Sequence, residues 1–168
     1  MKLFAGRLPA DAAASLTTHL GRRPQVLAWG RSTDGVLVGL HDRLAVLDAD
    51  GWHDVPWHDV LSGGWNGEAR SLHWVRLSSG EHVDVPLTEP GSLPEVFRER
   101  VESTFLVTQV IRPAPGQSIT ITARRNLMDA GAPVLWTAHP ARGVRMDDPA
   151  TLAFAEAELA RLRAEYAF

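Results

Sequence analysis

Cysteine is absent from this chain, and its absence removes disulfides, thiolate nucleophiles and Cys-ligated zinc together. Any metal would have to be held by His and carboxylates. Long apolar runs are missing too: no stretch approaches the ~18 apolar residues of a membrane span, so no integral membrane segment is expected. Lys2 lies in the opening MKLFAGRLPADAAASL, but Arg7, Pro9 and Asp11 interrupt the apolar core that a signal peptide needs. A cytoplasmic location is the expectation. Lysine occurs once against sixteen arginines. With the abundant alanine, that bias reads as a GC-rich coding background rather than a demand for guanidinium chemistry. The arginines are scattered, as in Arg22-Arg23 and Arg124-Arg125, and the formal net charge is -3. No clustered positive surface follows, so no nucleic-acid partner is expected.

Catalytic signatures are equally scarce. The chain holds no H-E-x-x-H, no G-x-S-x-G, no EF-hand loop and no phosphate-binding G-x-x-x-x-G-K. The glycines of SGGWNGE at 62–68 precede strand-like sequence, so they lack the helix N-terminus that would cradle a phosphate. That stretch reads as a hairpin connection, with Trp65 as an exposed anchor for a partner. No catalytic, cofactor-binding or metal-binding residue is assigned, and no cofactor is expected.

What is present is a pattern of elements. Residues 9–20 read as a short helix stopped by Gly21. From Gln25 onward, QVLAWGRS, VLVGL, LAVLD, the two WHDV segments, RSLHWVRL and EHVDVPL read as about six or seven short strands, with Asp50-Gly51 as a tight turn. Ser92, Pro94 and Glu95 then mark a helix start as a capping box. Leu93, Val96, Phe97, Val101 and Phe105 form its apolar stripe, which ends near Leu106. A second β stretch follows through VTQVIR, SITITAR and VLWTAH. Asp148 and Pro149 open a last helix striped by Leu152, Ala155, Leu159, Leu162 and Tyr166. These spacings predict an α+β, mainly β protein: residues 1–106 form a bent sheet capped by a helix, and residues 107–168 a packed three-strand plus helix extension. The last stripe also offers a homodimer contact, although packing on the chain's own second sheet is the favoured use.

Three His-Asp dipeptides occur, at 41, 53 and 58, where composition predicts about half an occurrence. Two sit in the repeat Trp-His-Asp-Val, at 52–55 and 57–60, around Pro56. His53 and His58 with Asp54 or Asp59, and His73, are candidates for a metal-dependent hydrolase or a small-molecule site. The period of the repeat is five, which points His53 and His58 to opposite faces of a straight strand. Only a bulge at Pro56 would bring them together. Otherwise His53, His58 and Trp65 are surface positions open to a partner, and Val55, Trp57 and Val60 are core.

The motif Val55-Pro56-Trp57-His58-Asp59-Val60, placed after the hairpin VLVGLHDRLAVLD and before a Gly/Trp connection, resembles the bacterial pleckstrin-homology-like (PH-like) domains. The resemblance covers roughly residues 20–106. With Ala123-Arg124-Arg125 and Asp147-Asp148-Pro149-Ala150, the whole chain is similar to PH-like proteins of actinobacteria. It implies a strongly bent, partly open barrel capped by a helix, and no particular activity. Headgroup binding by eukaryotic members of the fold uses a basic first hairpin. Here that tip is Ser32-Thr33-Asp34-Gly35, which is acidic. The expectation is a non-enzymatic, cytoplasmic binding or scaffold module with an unidentified protein partner.

Overall fold

A computed structural model describes residues 6–168. Lys2 lies outside them. The chain is α+β, mainly β, and divides into two compact units, Met1–Thr104 with Leu127–Asp129, and Phe105–Asn126 with Ala130–Phe168.

The first unit starts with α1 (Ala10–Leu20), followed by β1 (Ala28–Ser32), β2 (Val36–Gly39), β3 (Arg43–Asp48) and β4 (Gly51–Pro56). A 3₁₀ turn (Trp57–Asp59) leads to β5 (Val60–Asn66), β6 (Ser71–Arg76), β7 (His82–Glu89) and α2 (Leu93–Glu102). The strands make one antiparallel seven-stranded sheet in the order β4-β3-β2-β1-β7-β6-β5. Its two edge strands are consecutive in the chain, separated only by the 3₁₀ turn, so the sheet must curl to bring its edges near each other. The inner core reflects the curl: Val55 of β4 and Val60 of β5 belong to one cluster with Leu37, Leu72, Trp74 and Leu87. Leu93 and Phe97 of α2 cap this half-barrel and are both buried.

The outer face of β1–β4 is covered as well. Leu8, Ala12 and Leu16 pack with Val36, Val38, Leu40 and Ala45 in a second cluster that also takes Trp29 and Trp52. Every residue of β2 is therefore buried, which explains why VLVG is uniformly apolar or small where a one-sided strand would alternate.

Two elements depart from the sequence expectation in this unit. Ser92 occupies the N-cap of α2, but its side chain makes no capping bond, so the capping box does not form. The helix also ends earlier than the apolar stripe suggests, because Ser103 Oγ donates to the Arg100 carbonyl and Thr104 Oγ1 to that of Val101, both at 2.7 Å. These hydroxyls take up the last carbonyls and stop the ladder. Phe105 and Leu106 consequently open a strand instead of closing a helix.

SGGWNGE is the other departure. Residues up to Asn66 are strand, and the turn comes one step later, where Asn66 Oδ1 accepts from the backbone N–H groups of Glu68 and Ala69 at 3.1 and 3.0 Å. Gly63 pairs with Trp74, and a Cβ there would run into the His73 carbonyl and lie 2.9 Å from Trp74 Cα. Gly63→Val is expected to lower stability by about 2 kcal/mol or more through this overlap. Gly64→Val, facing open space, stays within about 0.5 kcal/mol. Urea melts of the two variants side by side check the contrast.

In the second unit, β8 (Phe105–Ile111), β9 (Ile119–Arg124) and β10 (Leu135–Pro140) form an antiparallel sheet in the order β10-β9-β8. Helix α3 (Pro149–Glu165) is capped by Asp148, which accepts from Thr151 N at 2.9 Å. Ala155 and Leu162 pack with Ile111, Ile119 and Ile121. Thr151, rather than Leu152 or Tyr166, completes the buried stripe, and those two are exposed. Ala155, Leu159 and Leu162 of the α3 stripe are thus used against the chain's own sheet, while Leu152 and Tyr166 face solvent.

Candidate functional site

The duplicated His-Asp pairs separate completely in space. Strand alternation puts Asp54, paired with Ala45, on the outer face and His53, paired with Val46, on the inner one. Asp54 accepts from Arg43 Nη1 at 2.7 Å and lies 3.1 Å from His19 Nε2 of α1. Asp42, from the first His-Asp pair, bonds Arg43 and, at 3.3 Å, Arg22. The network Arg22-Asp42-Arg43-Asp54-His19 thereby fastens α1 to the outer face. Burial alone would raise the Asp42 pKa, but the hydrogen bond and charge of Arg43 outweigh it and hold the carboxyl below its usual value.

Asp59 serves a different element. Buried at the end of the 3₁₀ turn, it accepts from Arg76 Nε at 2.8 Å, Ser78 N at 2.8 Å and Ser78 Oγ at 2.9 Å. It closes the β6–β7 turn. His58 is half-buried beside it in the 3₁₀ turn. Pro56 is extended and leads into that turn without a bulge, so the condition for joining His53 to His58 is not met. His73 is exposed on the outer face of β6 opposite Asp84. Among the described residues no three His, Asp or Glu side chains gather closely enough to hold a metal ion. Trp65 is half-buried, facing Leu72 across β5–β6 and packed against the inner core.

No sequence motif points to the site that lies inside the half-barrel. A cavity of about 620 Å³ opens beside the β1–β2 turn and the inner faces of β3, β4, β6 and β7. Leu37, Val46, Val55, Trp74, Val83 and Val85 provide its apolar wall. α2 fills the core elsewhere, and at this end the inward positions carry mostly short branched side chains, which leaves the space open. Trp74 is 2 % exposed, and its indole N–H has no hydrogen-bond partner among the described residues.

Charged groups at the mouth are Asp34, Asp48, His53, Arg76 and Glu81, whereas Asp84, the cross-strand partner of exposed His73, turns its side chain to the outer face. Two are tied to each other, with His53 Nε2 2.6 Å from Asp48 Oδ2. That hydrogen bond from His53, with a second from the Asp50 N–H, holds the Asp48 carboxyl below its ordinary value. Arg76 is committed to Asp59. The alternation of Val83 and Val85 is the one signal of this wall in the sequence; which strands face them across the interior is not written there.

The second unit contains a partly buried polar chain. His139 Nε2 lies 2.8 Å from Thr137 Oγ1, which lies 2.9 Å from Thr122 Oγ1. The Arg124 guanidinium sits 4.1 Å from the Phe105 ring centroid. Burial, then the charge of Arg124, lowers the His139 pKa. A lowered folded-state value means that the neutral imidazole stabilises the fold above the unfolded pKa of about 6.5 and that this contribution fades as pH falls through the folded value. Melting of the wild type should therefore drop faster on acidification below about pH 6.5 than melting of His139→Gln, which cannot titrate.

No family model, curated protein or solved structure matches the chain, so the site stands on its own geometry.

Proposed function

We propose that this chain is a non-enzymatic binding protein and that the half-barrel pocket takes a small, largely apolar molecule. The observation that carries the reading is the pocket itself, whose volume falls in the usual range for ligand sites, about 300–1,000 Å³, with an apolar wall and a polar mouth. The PH-like reading draws support from the element order, four antiparallel strands, three more and a closing helix. A scaffold role toward a protein partner in the cytoplasm is the broader form of the same proposal. No helix among the described residues is long and apolar enough to cross a membrane.

A neutral, solvatochromic naphthylamine dye tests the pocket. Titrated into the wild type, it should brighten saturably at one dye per chain. Val85→Arg, which projects a long side chain into the cavity, should abolish the signal while the far-ultraviolet circular dichroism stays unchanged. Absence of saturable binding to the wild type would refute the proposal.

A further inference from the structure

The two sheets have four edge strands, β4, β5, β8 and β10, and an edge is a template for another chain unless something blunts it. Three are blunted. β4 carries Asp54 and ends on Pro56. β5 contains Gly63-Gly64 and a register shift between Val60 and Ser62. β10 ends on Pro140, which has no N–H to offer. β8 is not blunted in this way. Its register shift lies at its start, between Phe105 and Val107, and beyond it VTQVI at 107–111 pairs regularly with β9 on one side only. Those five residues include no proline, glycine or charge. Their outward side makes no main-chain hydrogen bond among the described residues, and Thr108, Gln109 and Val110 are exposed.

We infer that β8 is a self-association edge: a second copy pairs with it, antiparallel, about a two-fold axis at Gln109, and joins two three-stranded sheets into one. The symmetry of the segment argues for a second copy over an unrelated strand. With Gln109 opposite its mate, Val107 falls opposite Ile111 and Thr108 opposite Val110, so β-branched side chains meet β-branched ones and no charge is brought in. Each Gln109 amide can donate to the other and accept from it. Side chains directly opposite in an antiparallel pair share a face, so the axis stands perpendicular to the sheet. Val107, Gln109 and Ile111 alternate onto one face, the one where Ile111 packs with Ala155 and Leu162 of α3. Both α3 helices therefore lie on the same side of the joined sheet. The contact is isologous and uses up both edges, so assembly closes at two chains. A ladder this short buries less than the roughly 1,200 Å² of a standard interface, which makes the dimer weak and concentration-dependent. It is independent of the half-barrel pocket.

Sedimentation equilibrium of the full chain over a concentration series tests the edge. The wild type should move from the 18.4 kDa of one chain toward twice that mass as concentration rises. Gln109→Lys and Gln109→Glu each set like charges against each other at the axis and should weaken association by about tenfold or more. Mixed in equal amounts, the two variants should recover it, because opposite charges then meet. Gln109 is exposed, so urea midpoints taken at low concentration should match the wild type, and amide exchange in wild-type residues 107–111 should slow as concentration rises. A wild type that stays monomeric at every concentration would overturn the inference. So would a dimer that both charges leave intact, or one that the mixture does not restore.

Discussion

Replacing Trp57 with alanine is expected to lower the stability of the first unit by about 3–5 kcal/mol. The side chain is fully buried, its ring meets Phe97 of α2 edge-on at 5.7 Å between centroids, and its indole N–H donates to the Leu40 carbonyl at 2.9 Å. Alanine removes one of the two buried tryptophans of the inner core and leaves both a cavity and a carbonyl without its indole donor. Trp57→Phe separates the two terms, since it retains most of the apolar volume but loses the N–H donor, at a cost of about 1–3 kcal/mol. Urea denaturation followed by near-ultraviolet circular dichroism measures both. A loss under about 1 kcal/mol for the alanine variant would show that the 3₁₀ turn is not a fixed point of the half-barrel. The expectation follows from Pro56, whose extended backbone ends β4 and turns Trp57 inward between the two edge strands.

The second large effect is expected at Asp59. Asp59→Ala should destabilise by about 3 kcal/mol, because it strands a partly buried guanidinium and a backbone donor at once. Asp59→Asn keeps one carbonyl oxygen for Ser78 N or Arg76 and should lose less. The same variants report on the pocket: once Asp59 is gone, Arg76 is free to offset the mouth carboxylates. Hydrogen exchange localised to residues 76–81 would rise in Asp59→Ala. If exchange there and the melting midpoint both match wild type, the β6–β7 turn is held by something else.

Half of the repeat's meaning is legible in the sequence alone. Val55, Trp57 and Val60 read as core, and all three are buried. The five-residue period rules against a joint His53–His58 site in a straight strand. Alternation splits the pair: His53 is exposed at the mouth of the pocket, and Asp54 faces α1. Nothing near residue 54 in sequence announces this, since its partner His19 lies 35 positions away and enters only through the packing of α1 on the outer face. Gly63 is opaque for a similar reason. Glycines suggest a loop when seen locally, yet Gly63 is required by the close approach of the neighbouring strand.

Local chemistry in the sequence determined the elements whose cause is local. Asp148-Pro149 starts α3 because a carboxylate cap and a proline without an N–H satisfy a helix terminus from within the same turn. The β3–β4 hairpin turns at Ala49-Asp50, one residue before the expected Asp50-Gly51, and Gly51 opens β4 with a φ of 108° that glycine accepts. Leu93 and Phe97 bury themselves because helical spacing aligns them. Tertiary structure alone decided which carboxylates are spent on arginines and which stay free at the mouth, and that a cavity survives inside the curl. Those outcomes depend on strand order and on side-chain volumes meeting across the sheet, between residues that no local spacing relates.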